Sequence, residues 1–211
     1  MDSFISIFTF IILIVILYVY LEGRAYEVKY VTSSVNNKEY LVRNLSDKQQ
    51  AADILAQLSI KLENVVNYIS SKDAEKIVKE VNIEKPNIEK MKKDFLRLKN
   101  NFNPDKLKES TPDAKYTSYS VNKGEELVFC LRIKKEGDKL MKLNPMTFVA
   151  LHELSHLMTE SIGHTQEFWD NFKIILQIAI KIGVYKHIDF RKNPEPYCGM
   201  EINDTPYKPK N

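Results

Sequence analysis

The run Phe148-Val149-Ala150-Leu151-His152-Glu153-Leu154-Ser155-His156-Leu157 puts two histidines four residues apart in an apolar stretch, and the rest of the chain is read outward from it. Asn144-Pro145 ahead of it is a good N-cap and N1 pair, so the stretch is expected to be a helix. On a helix, side chains four apart share one face with Cβ atoms about 6 Å apart, and two imidazoles can then reach one zinc ion at about 2.0–2.1 Å. Glu153 is turned about 100° around the axis, which sets its carboxylate beside the ion rather than on it, where a general base is needed. Three fixed positions in five arise by chance in many chains, so the setting decides. Three of the four histidines fall between 152 and 164, and a charged Glu in a hydrophobic helix makes little sense unless something compensates it. Zinc is the expected cofactor.

A catalytic zinc takes a third protein ligand and keeps one position open. His164 is the leading candidate, because Gly163 can take the positive φ of a turn that brings the chain back to the metal face. Glu160, Glu167 and Cys130 are the rivals.

His152-Glu153-Leu154-Ser155-His156 followed by Gly163-His164-Thr165-Gln166-Glu167-Phe168-Trp169 resembles the minimal zinc metallopeptidases of the WLM and SprT-like families. Those families share this helix, a third His shortly after it, and an aromatic pair beyond that His. The resemblance implies that His152, His156 and His164 are ligands, that Glu153 is the general base, and that Phe168 and Trp169 pack the second helix against the first. It covers roughly forty residues, and the seven residues between His156 and His164 exceed the more usual five. The resemblance also implies that the strand before the metal helix, Leu127 to Ile133, is an edge pairing with an extended protein or peptide substrate. Phe129 and Leu131, or else Val128 and Cys130, would face the core. Cys130 reads as a buried structural thiol. Tyr197, in the Tyr197-Cys198-Gly199 turn, is a candidate oxyanion or substrate contact, although packing is the blander role. His187 reads as a surface or capping histidine. A deformylase-like hydrolase would need Gly-Cys and Gln motifs that are absent.

Further outward, Tyr116 to Val121, the turn Asn122-Lys123-Gly124 and Leu127 to Ile133 read as a hairpin. Tyr26 to Tyr30 and Glu39 to Val42 read as an earlier one. Between them, Ser46 with Gln49 forms a capping-box pattern. Ala51, Leu55, Leu58, Leu62, Val65 and Ile69 then recur at helical steps. That helix, over 46–70, either packs on the core or meets a partner helix. Two shorter helices are expected across 73–99, broken at Pro86. Pro194, Pro196, Pro206 and Pro209 make 191–211 an extended tail.

From Phe4 to Tyr20 there is no charge, so residues 4–21 read as a membrane anchor and 1–24 as a unit separate from the domain at 25–211. That domain divides into 25–110, 111–190 and the tail. Basic residues follow the apolar run (Arg24, Lys29, Lys38, Arg43), which places the domain on the cytoplasmic side. Two cysteines could close at most one bridge, and free thiols fit that compartment. With 31 Lys+Arg against 28 Asp+Glu, the net charge of +3 is too small to argue for a nucleic-acid surface. The composition, 44% hydrophobic and 28% charged, excludes wholesale disorder.

The expectation is thus an α+β chain, a small zincin-like metallopeptidase domain of helices and short antiparallel hairpins with one N-terminal transmembrane helix. The competing function is a membrane-tethered interaction scaffold with a structural or inactive zinc site.

Overall fold

A computed structural model of the chain describes residues 2–25, 28–114, 116–133 and 137–208, with the side chains of 2–5 and 23–25 left out. Tyr26, the expected start of the first hairpin, and Pro209 lie outside the described residues, as does the side chain of Arg24.

Helix α1 runs Asp2–Ala25, and its side chains from 6 to 22 are exposed. Among the described residues no helix is long and apolar enough to cross a membrane. This corrects the anchor expected over 4–21, and with it the transmembrane fold class and the single-pass placement. A span needs about 20 consecutive apolar residues to cross a hydrocarbon core of about 30 Å, and Asp2, Glu22 and Arg24 charge the two ends of α1.

The centre of the fold is a five-stranded sheet in the order β1-β2-β3-β5-β4. Strands β1 (Val28–Thr32) and β2 (Glu39–Arg43) form the first hairpin, with Tyr30 opposite Leu41. Strand β3 (Leu107–Glu109) joins β2 and β5 (Glu126–Phe129) in parallel, and β4 (Tyr119–Val121) closes the sheet antiparallel to β5. The hairpin strand expected to be an edge is therefore interior, and the edge on that side of the sheet is β4. Leu127, Val128, Phe129, Cys130 and Leu131 are all buried, so neither alternation of inward-facing residues holds. Pairing within this sheet also ends at Phe129. The next residues form β6 (Arg132–Ile133), which pairs with β7 (Lys139–Leu140) in a separate ribbon.

Helix α2 (Lys48–Ser70) lies along β1, β2 and β3, with every apolar position of the expected row buried in the chain's own core. Its start differs from the capping box. Asp47 is the N-cap and makes no side-chain cap, because its carboxylate accepts from Arg132 Nη1 at 2.8 Å while Gln49 donates to the Thr32 carbonyl. Arg132 also donates from Nε to buried Glu109 at 2.6 Å, tying β6 to β3 and the foot of α2. Helices α3 (Ala74–Val81) and α4 (Ile88–Asn101) flank the break at Pro86. Asn87 caps α4 by accepting from the Lys90 amide.

Helix α5 (Leu143–Met158) is buried on nearly all sides, between α2, α4, α6 and strand β4. Pro145 sits in its first turn as expected, but Lys142 is the N-cap, and Asn144 instead exchanges two hydrogen bonds with the Lys186 backbone. Helix α6 (Gln166–Lys181) follows, capped by Thr165 Oγ1 accepting from the Phe168 amide. The proline-rich tail holds a short hairpin, β8 (Glu195–Tyr197) with β9 (Met200–Ile202). Cys198, at its turn, is bonded to Cys130. The cysteines are therefore not the free thiols expected, since folding brings their Cα atoms to 6.0 Å across 68 residues of sequence.

Candidate metal centre

His152 and His156 project from one face of α5, and His164 comes to them from the loop between α5 and α6. The Nε2 atoms of His152 and His156 are 3.3 Å apart, and those of His152 and His164 3.0 Å. Two nitrogens bound tetrahedrally at about 2.0–2.1 Å stand about 3.3 Å apart, so the spacing suits one ion. No other group of three His, Cys, Asp or Glu able to hold a metal occurs among the described residues. Burial, followed by the positive field of the neighbouring imidazoles, holds His152 down at about 3. Burial, His164 and then Lys123 hold His156 at about 4. Both are neutral near pH 7, the form that binds metal.

The rival ligands are engaged elsewhere. Glu160 accepts from Arg97 Nη2 at 2.9 Å, Cys130 is in the disulfide, and Glu167 accepts from the Ser161 amide at 3.1 Å and pairs with Lys90 at 3.2 Å. Burial raises the Glu167 pKa, but hydrogen bonds from Ser161 and the Lys90 ammonium outweigh it and bring the group to about 2. It is thus a fixed anion bracing the loop that carries His164. Helix α5 ends at Met158, so Gly163, with φ 83°, turns the chain inside this loop rather than at the helix terminus.

Aromatic rings set the imidazole planes. Phe168 stacks on His156 with centroids 4.2 Å apart and lies edge-on to His152 at 4.8 Å. Trp169 stacks on His164 at 5.6 Å. The pair therefore orients the histidines as well as packing α6 on α5.

Glu153 is 4% exposed, and burial alone raises its carboxyl to about 8. A group this strongly perturbed beside three convergent histidines makes Glu153 a candidate functional residue. Tyr197 is also buried; its hydroxyl shares a hydrogen bond with Ser118 Oγ, and its pKa is raised by burial and, more weakly, by the Glu153 carboxylate. His187 stands apart, with Nε2 3.3 Å from the Tyr207 carbonyl.

Several residues that the sequence reading passed over hold the end of α5. Lys123 Nζ donates to the Thr159 and Glu160 carbonyls at 2.6 Å each, Arg97 Nη1 to Met158 O at 3.0 Å, and Asn101 to Leu157 O at 3.1 Å. Two cations at a helix C-terminus complement its dipole and satisfy carbonyls that have no partner within the helix. Nothing local marks Lys123 for this role, because its acceptors are 36 and 37 residues away. Buried Asn171 adds a bond to Thr159 Oγ1 at 3.1 Å.

No known protein-family model and no solved structure matches the chain. It is 35% identical over 178 residues to the uncharacterized protein R325 of Acanthamoeba polyphaga mimivirus, covering 84% of each chain. Shorter matches are to uncharacterized protein 136R of Invertebrate iridescent virus 6, 37% identical over 83 residues (38% of this chain, 44% of the relative), and to uncharacterized protein 042R of Invertebrate iridescent virus 3, 38% over 87 residues (39% and 50%). The extent of the first match makes this chain a member of the same protein family as mimivirus R325.

Proposed function

We propose that the protein is a zinc-dependent peptide hydrolase, with His152, His156 and His164 as ligands and Glu153 as general base. The observation that carries this is the convergence of three imidazoles, with His152 Nε2 3.3 and 3.0 Å from those of His156 and His164, next to the buried Glu153 carboxyl on the helix that carries His152 and His156. The likeness of this segment to WLM and SprT-like peptidases supports the same reading. A bound zinc ion would supply Lewis acidity, polarising a carbonyl and making a water more acidic.

The chain's own residues do the rest. Glu153 takes a proton from the attacking water and passes it to the departing amine. Its burial lifts the carboxyl to about 8. A divalent charge nearby would lower that value again, so the group can serve as base first and acid second. Strand β4 is an edge strand of the sheet and packs against α5, so an extended peptide could take it as a main-chain partner beside the metal helix.

The test is metal analysis of freshly purified protein with peptide hydrolysis by the wild type and Glu153→Gln. Expected are about one zinc per chain in both and a loss of at least about 10²-fold in turnover for the variant, since general-base catalysis contributes roughly 10²–10⁴. Protein without bound transition metal, or a Gln variant of ordinary activity, overturns the reading. Zinc in both with no hydrolysis by the wild type would favour a structural or inactive site.

A further inference from the structure

Four residues from three parts of the chain close a ring beside the histidine centre. Cys198 is bonded to Cys130, and the Cys130 amide donates to Ser118 Oγ at 3.1 Å. Ser118 Oγ in turn shares a hydrogen bond with the hydroxyl of Tyr197, the residue before Cys198. Ser118 directly precedes the edge strand β4, and Cys130 directly follows β5. Tyr197 is 4% exposed and near enough to Glu153 for that carboxylate's charge to reach it. The ring therefore fastens the tail hairpin to the residue just ahead of the strand that packs on the metal helix.

Apart from the ring, the hairpin is held by the burial of Tyr197 and by Ile202 packing on the core. Strands of three residues are not stable alone. Its ion pair from Glu195 goes to Lys142 at 3.6 Å, and that lysine is largely exposed, where such a pair contributes little. Cys198 itself has φ 44° and Gly199 φ 88°, a tight turn that points the sulfur back at Cys130. The Cys130–Cys198 bond adds a covalent restraint, one residue away, to the burial that places Tyr197.

We propose that the Cys130–Cys198 bridge is a positioning device for substrate: it seats Tyr197, which through Ser118 fixes the start of β4, so that the oxidised chain is the form that binds peptide well. The proposal rests on the hydrolase reading. Tyr197 is a positioning residue in it, acting on β4 rather than on the reacting atoms. Opening the bridge takes two electrons and two protons. A phosphine supplies the electrons, becoming its oxide with oxygen from water, while the protons of that water leave two thiols, Cys130 and Cys198. With the covalent leg gone, one hydrogen bond is left to hold the hairpin to Ser118.

The experiment compares the zinc-loaded oxidised chain with the double variant Cys130→Ser/Cys198→Ser, with Tyr197→Phe, and with the triple variant. Metal content, KM and kcat on a dye-quenched casein, and peptide-resolved hydrogen exchange are read for each. Wild-type chain reduced with a water-soluble phosphine is the second route if the serine pair fails to fold. Expected are unchanged zinc, KM raised at least fivefold with kcat within about twofold, and faster exchange over 195–202 and at the Cys130 amide in the serine pair. The triple variant should be no worse than the serine pair, because both changes break one ring. A bridge that only stabilises the fold would leave KM unchanged or act additively with Tyr197→Phe, and either result overturns the proposal. If zinc-loaded oxidised chain hydrolyses no peptide, the hydrolase reading fails by itself, and exchange decides about the bridge: unaltered protection over 195–202 and at Cys130 rejects the seating.

Discussion

The Phe168 ring is stacked on the His156 imidazole, with centroids 4.2 Å apart and planes at 25°. Phe168 is fully buried where α6 meets α5, so one ring serves both the core and the candidate metal site. Phe168→Ala is expected to cost about 3–5 kcal/mol of stability, the usual range for a buried aromatic truncation, and to weaken zinc binding as well. Chemical denaturation and a competitive chelator titration measure the two effects. Unchanged zinc affinity in a folded Phe168→Ala protein would show that the stacking does not orient His156.

Trp169 is the sole tryptophan, stands 39% exposed and stacks on His164. Its emission should therefore report metal binding. Adding zinc to the metal-free chain is expected to change Trp169 fluorescence in a saturable way, and His164→Ala should abolish most of that change. A response in His164→Ala equal to the wild type would remove His164 from the ligand set.

The rival ligand residues predict a graded series. His152→Ala and His156→Ala should eliminate tight zinc binding, since each removes a ligand from a rigid helix, and His164→Ala should weaken it strongly. Glu167→Ala acts indirectly, by freeing the Ser161 amide and the loop, so a smaller loss is expected. Glu160→Ala should have almost none. Isothermal titration across the five variants checks the order, and a Glu160 or Glu167 effect larger than that of His164 contradicts it.

The metal-free protein should have a bell-shaped stability profile from three groups. His152 and His156 titrate at about 3 and 4 when folded but near 6.5 when unfolded. The unfolded chain then binds more protons between about pH 4 and 6.5, and stability falls as the pH drops through that window. Glu153 has the opposite sign: raised to about 8, its protonated form is favoured in the fold, so its contribution declines as the pH rises from about 4.5 to 8. Urea midpoints from pH 4 to 9 should peak in between. The alkaline decline should be absent in Glu153→Gln.

Gly124 has φ 127°, and a Cβ there would lie 2.0 Å from the Asn101 carbonyl oxygen. Gly124→Ala must move backbone, which exceeds the ordinary penalty of about 1 kcal/mol for a residue placed at positive φ. It would also displace Lys123 from the end of α5. Lower thermal stability together with lower zinc affinity is expected; loss of stability alone would show that Lys123 does not support the His164 loop.

The sequence by itself determined the local parts of this protein. A helical apolar row gave α2, and a proline break separated α3 from α4. An apolar helix carrying His152, Glu153 and His156, followed by Gly163 and His164, set out the candidate site, because metal-ligand spacing on a helix is a property of backbone geometry alone. Tertiary structure decided what depends on distant residues. It made β5 interior by inserting β3 beside it, a strand of three residues too short to show a period. It brought Cys130 and Cys198 together across 68 positions and sent Asp47 to Arg132 instead of to its own helix. It also laid Lys123 across the end of α5. For the apolar N-terminal helix, composition alone had suggested a membrane span, whereas among the described residues no helix is long and apolar enough to cross a membrane. Charges and thiols choose partners by proximity in space, and a sequence encodes that proximity only through the whole fold.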